Sequence, residues 1–124
     1  MSFPDVEAEL VSLLEPYGTV RTYTDLDLQD VVAGGGFYIV VQAGGGQQTR
    51  LQWKPGISLA VYGKDRGALA RAEDICEYLT MSVSRKVFPF DRIDVQTPPQ
   101  ETPWAGDGVR LWTSTYTAVV RRQP

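Results

Sequence analysis

The chain reads as an α+β protein, an α/β sandwich in which a mixed or mainly antiparallel sheet of about four to five strands packs against two main helices. Three observations predict this class. Two segments, at about residues 6–17 and 65–85, carry apolar residues at helical spacing. Several other segments are rich in β-branched and aromatic residues, and glycine or proline clusters separate them. With 124 residues, 43% of them hydrophobic, and no internal repeat, a single domain over 1–124 with a modest core is expected.

Ser2-Phe3-Pro4-Asp5 supplies a capping residue, an early proline and an acidic residue, the signals of a helix start. Val6, Leu10, Leu13, Leu14 and Tyr17 follow at helical spacing, and the helix should stop near Pro16 and Gly18. Thr19 to Tyr23 reads as a short strand, whereas TDLDLQDVVA, residues 24–33, reads as a loop or a short helical turn. Phe37 to Ala43 is apolar on both faces, as a central covered strand requires.

The glycine triplets at 34–36 and 44–46 pose a question of phosphate binding. A phosphate loop needs backbone N–H groups converging at the start of a helix. Both triplets lead instead into strand-like sequence, FYIVV and QQTRLQW, so they read as turns, the second as a hairpin turn. Thr49, Leu51 and Trp53 alternate with Arg50, Gln52 and Lys54, predicting a strand with one wet face. Pro55-Gly56 predicts a turn into a third strand, Ile57 to Tyr62.

The second helix is expected from Asp65 to Arg85, with Ala68, Leu69, Ala72, Ile75, Cys76, Leu79 and Val83 as its buried stripe and Gly67 allowing close approach to a strand. Val87 to Val95 reads as extended. Pro98-Pro99 and Pro103 then predict an irregular loop reaching Gly108. Val109 to Arg122 closes the chain as a strand too long for so small a domain, whose unpaired edge would suit a neighbouring subunit.

Composition excludes several classes of chemistry. There is no histidine, which removes the commonest general base and metal ligand near neutral pH. The single cysteine, Cys76, has no partner for an internal disulfide and is expected as a buried inert thiol. A net charge of -3 offers nucleic acid no attraction. No apolar run is long enough to cross a bilayer, and the acidic, amphipathic start is unlike a signal peptide, so a soluble protein made in the cytoplasm is expected.

Three constellations are readable in more than one way. Asp25, Asp27 and Asp30 alternate as calcium ligands do, but Leu26, Leu28 and the missing closing glutamate favour solvated loop charges. Tyr62-Gly63-Lys64-Asp65-Arg66-Gly67 is read as a capped loop with Asp65 as N-cap, with Lys64 and Arg66 the candidates for an anion. Trp53, Trp104 and Trp112 read as core filling, and Trp104, set between Pro103 and Ala105-Gly106-Asp107-Gly108, also as an interface anchor. Arg121 and Arg122 read as a solvated tail or as a contact to an acidic neighbour.

The order of elements, the strand with a glycine hairpin IVVQAGGG, and the strand entering an alanine-rich helix, LAVYGKDRGALARAEDI, together resemble the tail terminator proteins of long-tailed bacteriophages, siphophage-type minor tail proteins. The resemblance covers nearly the whole chain. It implies a structural virion protein and no enzyme: a hexameric ring of small α/β subunits that caps the tail tube, ends its polymerisation and docks to the head–tail connector or stopper protein. It implies no catalytic residue, cofactor or metal. DNA would pass through the ring without sequence-specific binding, and an acidic wall would let it slide. The location implied is the head-proximal end of the virion tail, with assembly in the host cytoplasm and no membrane.

A closed ring needs heterologous contacts between unlike patches. The candidates for subunit or tail contact are Gly44, Gly45, Gly46 and Gln47 at the hairpin, Trp104 and Asp107 in the proline loop, and Trp112, Tyr116, Arg121 and Arg122 on the last strand. Another neck, connector or tail-completion adaptor fits the same pattern, a monomeric adaptor that binds by pairing an edge strand among them. A small anion- or nucleotide-binding domain using Lys64, Asp65 and Arg66 is the reading from a different class.

Overall fold

The computed structural model describes residues 3–22, 36–64, 67–102 and 109–122. The first helix, α1 (Val6–Leu14), begins at Asp5, whose side chain accepts a hydrogen bond from the Ala8 N–H at 3.2 Å. The cap is thus the acidic residue next to the helix, and Ser2 lies outside the described residues. Val6, Leu10 and Leu14 form its buried stripe, and a short 3-10 turn, Glu15–Tyr17, ends it at Gly18.

Five strands follow in one mixed sheet: β1 (Thr19–Thr22), β2 (Tyr38–Gln48), β3 (Gln52–Lys64), β4 (Phe90–Thr102) and β5 (Val109–Arg121), in the order β1-β2-β3-β5-β4. β1 pairs with β2 in parallel, Thr19 opposite Tyr38, and every other pairing is antiparallel. The second helix, α2 (Gly67–Glu77), continues as a π-helical turn over Tyr78–Val83. Thr80 bonds back to the Cys76 carbonyl oxygen at 2.8 Å there, and its hydroxyl thereby takes part in the altered ladder.

Both helices cover the same face of the sheet. α1 lies against β1 and β2, and α2 against β3, β5 and β4. The core between the layers joins Leu10 and Leu14 to Ile39, Val41, Leu59 and Val61, then to Ile75, Leu79, Phe90, Tyr116 and Val120. Burying each of the larger side chains stabilises the fold by about 1.5–3 kcal/mol. On the opposite face Tyr38, Val40, Tyr62, Val109 and Leu111 form a second, smaller cluster. Alternation in β2 puts Ile39 and Val41 on one face and Tyr38 and Val40 on the other, all four buried, as its continuous apolar run predicts.

Among the described residues, two turns and the start of a loop expected from glycine and proline are strand instead. The Gly44-Gly45-Gly46 run is a bulge inside β2: Gly44 faces Gly56 and Gln47 faces Lys54, so Gly45 and Gly46 together oppose the single Pro55. The chain reverses later, at Thr49–Leu51, where the Thr49 N–H bonds to the Gln52 carbonyl at 2.7 Å. Pro55-Gly56 makes no turn, and β3 runs straight through it. A proline has no N–H for the ladder, and the bulge opposite removes the need for one. Likewise β4 continues across Pro98-Pro99 to Thr102, because it is the outer strand and its register slips between Thr97 and Gln100, where the two prolines oppose Ser114.

The predicted long last strand is present, Val109–Arg121, and it pairs on both sides, with β3 and with β4. Its edges are covered by this chain's own strands. Cys76 is half-buried against the core rather than fully enclosed. Gly67 lies close to Phe37, the residue just before β2 rather than a strand residue: a Cβ there would sit 3.2 Å from Cζ of Phe37, whose ring also fills the space beside Gly63.

Candidate interaction surfaces

The strands outreach the helices. β3, β4 and β5 have 13 residues each, roughly 43 Å at 3.3 Å per residue, whereas α2 and its π turn cover about 25 Å. The uncovered parts are visible in the burial pattern. In β2 the first residues, Tyr38 to Val41, are buried and Gly44 to Gln48 are exposed. In β4 burial ends at Ile93.

Four of the predicted contact residues, Gly44, Gly45, Gly46 and Gln47, therefore sit on an exposed arm. The arm is held at its root. Trp53 donates its indole N–H to the Gly45 carbonyl at 2.8 Å and stacks tilted on Phe3, ring centroids 6.0 Å apart. Gly45 and Gly46 take φ of +63° and +75°, the left-handed region that glycine enters without a Cβ penalty. Outside the pairing with β1, which ends at Thr22 opposite Val41, the Ala43 N–H is bonded by the Glu7 carboxylate at 3.0 Å.

Arg121 and Arg122 are not a solvated tail. Arg121 pairs with Asp91 at 2.6 Å and lies over the Phe88 ring, and Arg122 donates to the Arg50 carbonyl at 3.1 Å and lies over Phe3. Both guanidiniums thus tie the strand end to neighbouring elements, Arg122 bracing the root of the arm. The reason is tertiary: β5 pairs Arg121 with Gln52, which brings the strand end to the hairpin.

Tyr116 is corrected more sharply. It is fully buried on the core side of β5 and donates its hydroxyl to Ser114 Oγ at 2.9 Å, so it offers nothing to a partner. Burial pushes its phenol well above the ordinary value of 10.0, opposed by the Ser114 hydrogen bond and reinforced by Cys76. Trp112 is half-buried against the same core, with its indole N–H enclosed and unbonded. Trp104 and Asp107 lie outside the described residues, as do Asp25, Asp27, Asp30, Asp65 and Arg66. The backbone of Lys64 ends β3, opposite Val109. Among the described residues no group of three or more His, Cys, Asp or Glu is placed to hold a metal ion, and no helix is long and apolar enough to cross a membrane.

Sequence reasoning missed two surfaces. One is Leu51 at the hairpin turn, the most exposed large apolar side chain described. The other is a cleft of about 460 Å³ between the end of the second helix and β4, lined in part by Met81, Arg85, Lys86, Arg92 and Val95. Met81 stands at i+4 from Glu77 on the outer helix stripe, a signal that was present; Val95 joins it only through the fold. Carboxylates are exposed on both helices. Glu9 and Glu15 are exposed on and just after α1, and Glu73, Asp74 and Glu77 on α2. Where the two helices meet, burial, the Tyr78 ring and the Asp74 and Glu77 carboxylates raise the Tyr17 phenol against the pull of Arg71. No protein-family model matches the chain, and no curated protein matches it in sequence.

Proposed function

We propose that the chain is a structural assembly protein, a ring-forming tail terminator that caps a tail tube, stops its growth and offers a docking surface to the head–tail connector. The observation that carries this reading is the sheet that outreaches its helical cover, leaving the glycine-bulged arm of β2 and β3 and the outer half of β4 as exposed platforms on a braced core. Such platforms suit contact between subunits, since each presents backbone and side chains that the chain's own core leaves uncovered. The mechanism needs surface complementarity and closure, with unlike patches meeting head to tail around a ring. The resemblance to tail terminators supports the same reading. In it the chain is no enzyme, and DNA crosses the ring without being read.

The test is the solution mass by light scattering over a concentration series, together with negative-stain images and the length distribution of tube protein polymerised with and without the chain. A mass of about six protomers, annular particles and shortened tubes are expected. Unchanged tube lengths would overturn the terminator role. A melting temperature raised by nucleotide or phosphate would favour an anion-binding domain instead.

A further inference from the structure

The cleft beside β4 has a cationic excess, three basic side chains against the single carboxylate of Asp94. Beyond β5, the cleft at β4 gathers three cations, Arg85, Lys86 and Arg92, around two of the exposed large apolar side chains, Met81 at 64% and Val95 at 39% exposure. Single exposed apolar residues are ordinary, whereas two in one cleft beneath a charged rim have the make-up of a contact surface. Lys86 caps the Met81 carbonyl at 2.9 Å and Arg92 pairs with Asp94 at 2.6 Å. Arg85 is exposed and has no hydrogen bond or ion pair among the described residues. It also sits at φ +66°, a conformation in which arginine is strained and glycine is not.

We propose that this cleft receives the outer face of α1 from a second copy of the chain. That face is complementary in charge and shape of chemistry: Val6–Leu14 contains no cation, Glu9 and Glu15 are exposed, and exposed Ala8 and half-buried Val11 lie beside them. α1 packs over β1 and β2, at the opposite end of the sheet order from β4. Cleft and helix face are therefore different patches on opposite sides of one protomer, the arrangement that joins copies head to tail. Strand addition at β4 is disfavoured, because three register slips and the Pro98-Pro99 pair interrupt its backbone ladder. Docking at that edge falls to side chains, and the cations and Met81 are the ones presented. The inference rests on the ring reading and names the contact that would build the ring.

The test uses the full chain and compares oligomer mass by light scattering in the wild type, in Arg85→Glu/Lys86→Glu, in Glu9→Lys/Glu15→Lys, and in the chain carrying all four changes. Circular dichroism checks folding in each. Because Lys86 caps the helix end, Arg85→Glu alone serves as the second cleft variant. Each reversed pair should weaken association at least tenfold, the fourfold variant should restore it, and rising salt should weaken the wild type. An oligomer that persists in both reversed variants would overturn this contact while leaving the ring reading standing. A wild type that is monomeric throughout would overturn the contact as well, with tube length still judging the terminator role separately. Association lost in the reversed variants and not restored by the fourfold change would also refute it.

Discussion

Replacing the glycines of the 44–46 run one at a time by alanine should give three different results, although the sequence presents them as equivalent. At Gly44 a Cβ would meet nothing within 4 Å, and φ is not in the left-handed region. Gly44→Ala should be neutral or stabilise by up to about 1 kcal/mol, through the lower entropy of the unfolded chain. Gly45 has the same open surroundings but φ of +63°, so alanine there bears only backbone strain, about 1–2 kcal/mol. Gly46 combines φ of +75° with a Cβ that would overlap the Lys54 carbonyl oxygen and lie 2.8 Å from its carbon. Backbone atoms cannot swing aside as a side chain does, so β2 and β3 must separate there. Gly46→Ala should thus cost more than Gly45→Ala by roughly 1–2 kcal/mol beyond the shared strain, up to the cost of opening the arm. Thermal unfolding reads the order, at about 4 °C per kcal/mol for a chain of this size. Amide exchange at Gln47, Gln48 and Lys54 reads its location. Equal losses at 45 and 46, or a loss at 44 as large as either, would refute the assignment of the bulge to this register.

Other outcomes follow from the same geometry. The Tyr116 phenol is raised in the folded state, so the folded chain holds this proton where the unfolded chain has released it; the stability it contributes is present below about pH 10 and falls above it, by about 1.4 kcal/mol per pH unit. Urea melts at pH 9 and pH 11 should show that loss, and Tyr116→Phe should flatten it. Gly63→Ala would put a Cβ 2.8 Å from Phe37 Cδ1 and 3.2 Å from Ala68 Cβ, and should destabilise by about 1–3 kcal/mol, with recovery in Gly63→Ala/Phe37→Leu. Arg85→Gly should raise thermal stability by about 1 kcal/mol, by relieving the left-handed arginine, while weakening association between copies. Leu10→Ala, fully buried in the core beneath α1, should cost about 2–5 kcal/mol in denaturant melts.

Local chemistry was enough for the elements whose signal is periodic. Val6, Leu10 and Leu14 of α1 and Ala68, Ala72, Ile75, Leu79 and Val83 of the second helix are buried as their spacing predicts, with Leu13, Tyr17, Leu69 and Cys76 half-buried at the stripe edges, because a helix places residues three and four apart on one face whatever it packs against. The apolar run Tyr38 to Val41 likewise requires cover on both faces, and the two clusters of the core provide it. These features rest on short-range geometry alone, and the α+β class follows from them.

What only the tertiary structure decided are the places where one strand's neighbour changes the meaning of its residues. Glycine and proline punctuate an isolated chain, since one frees φ and the other removes a donor; yet Gly45 and Gly46 make a bulge because Pro55 stands opposite, and Pro98-Pro99 stay in β4 because it is the outer strand among the described residues. Arg122 braces the arm because β5 carries it to Arg50 and Phe3, and Tyr116 is buried because α2 and Cys76 lie over its side of β5. The cleft of Met81, Arg85 and Val95 joins a helix end at Val83 to a strand that begins at Phe90, and no spacing rule links them. Periodicity reports which face of an element turns inward; which elements meet there, and which residues they leave outside, is settled by pairing across the whole chain.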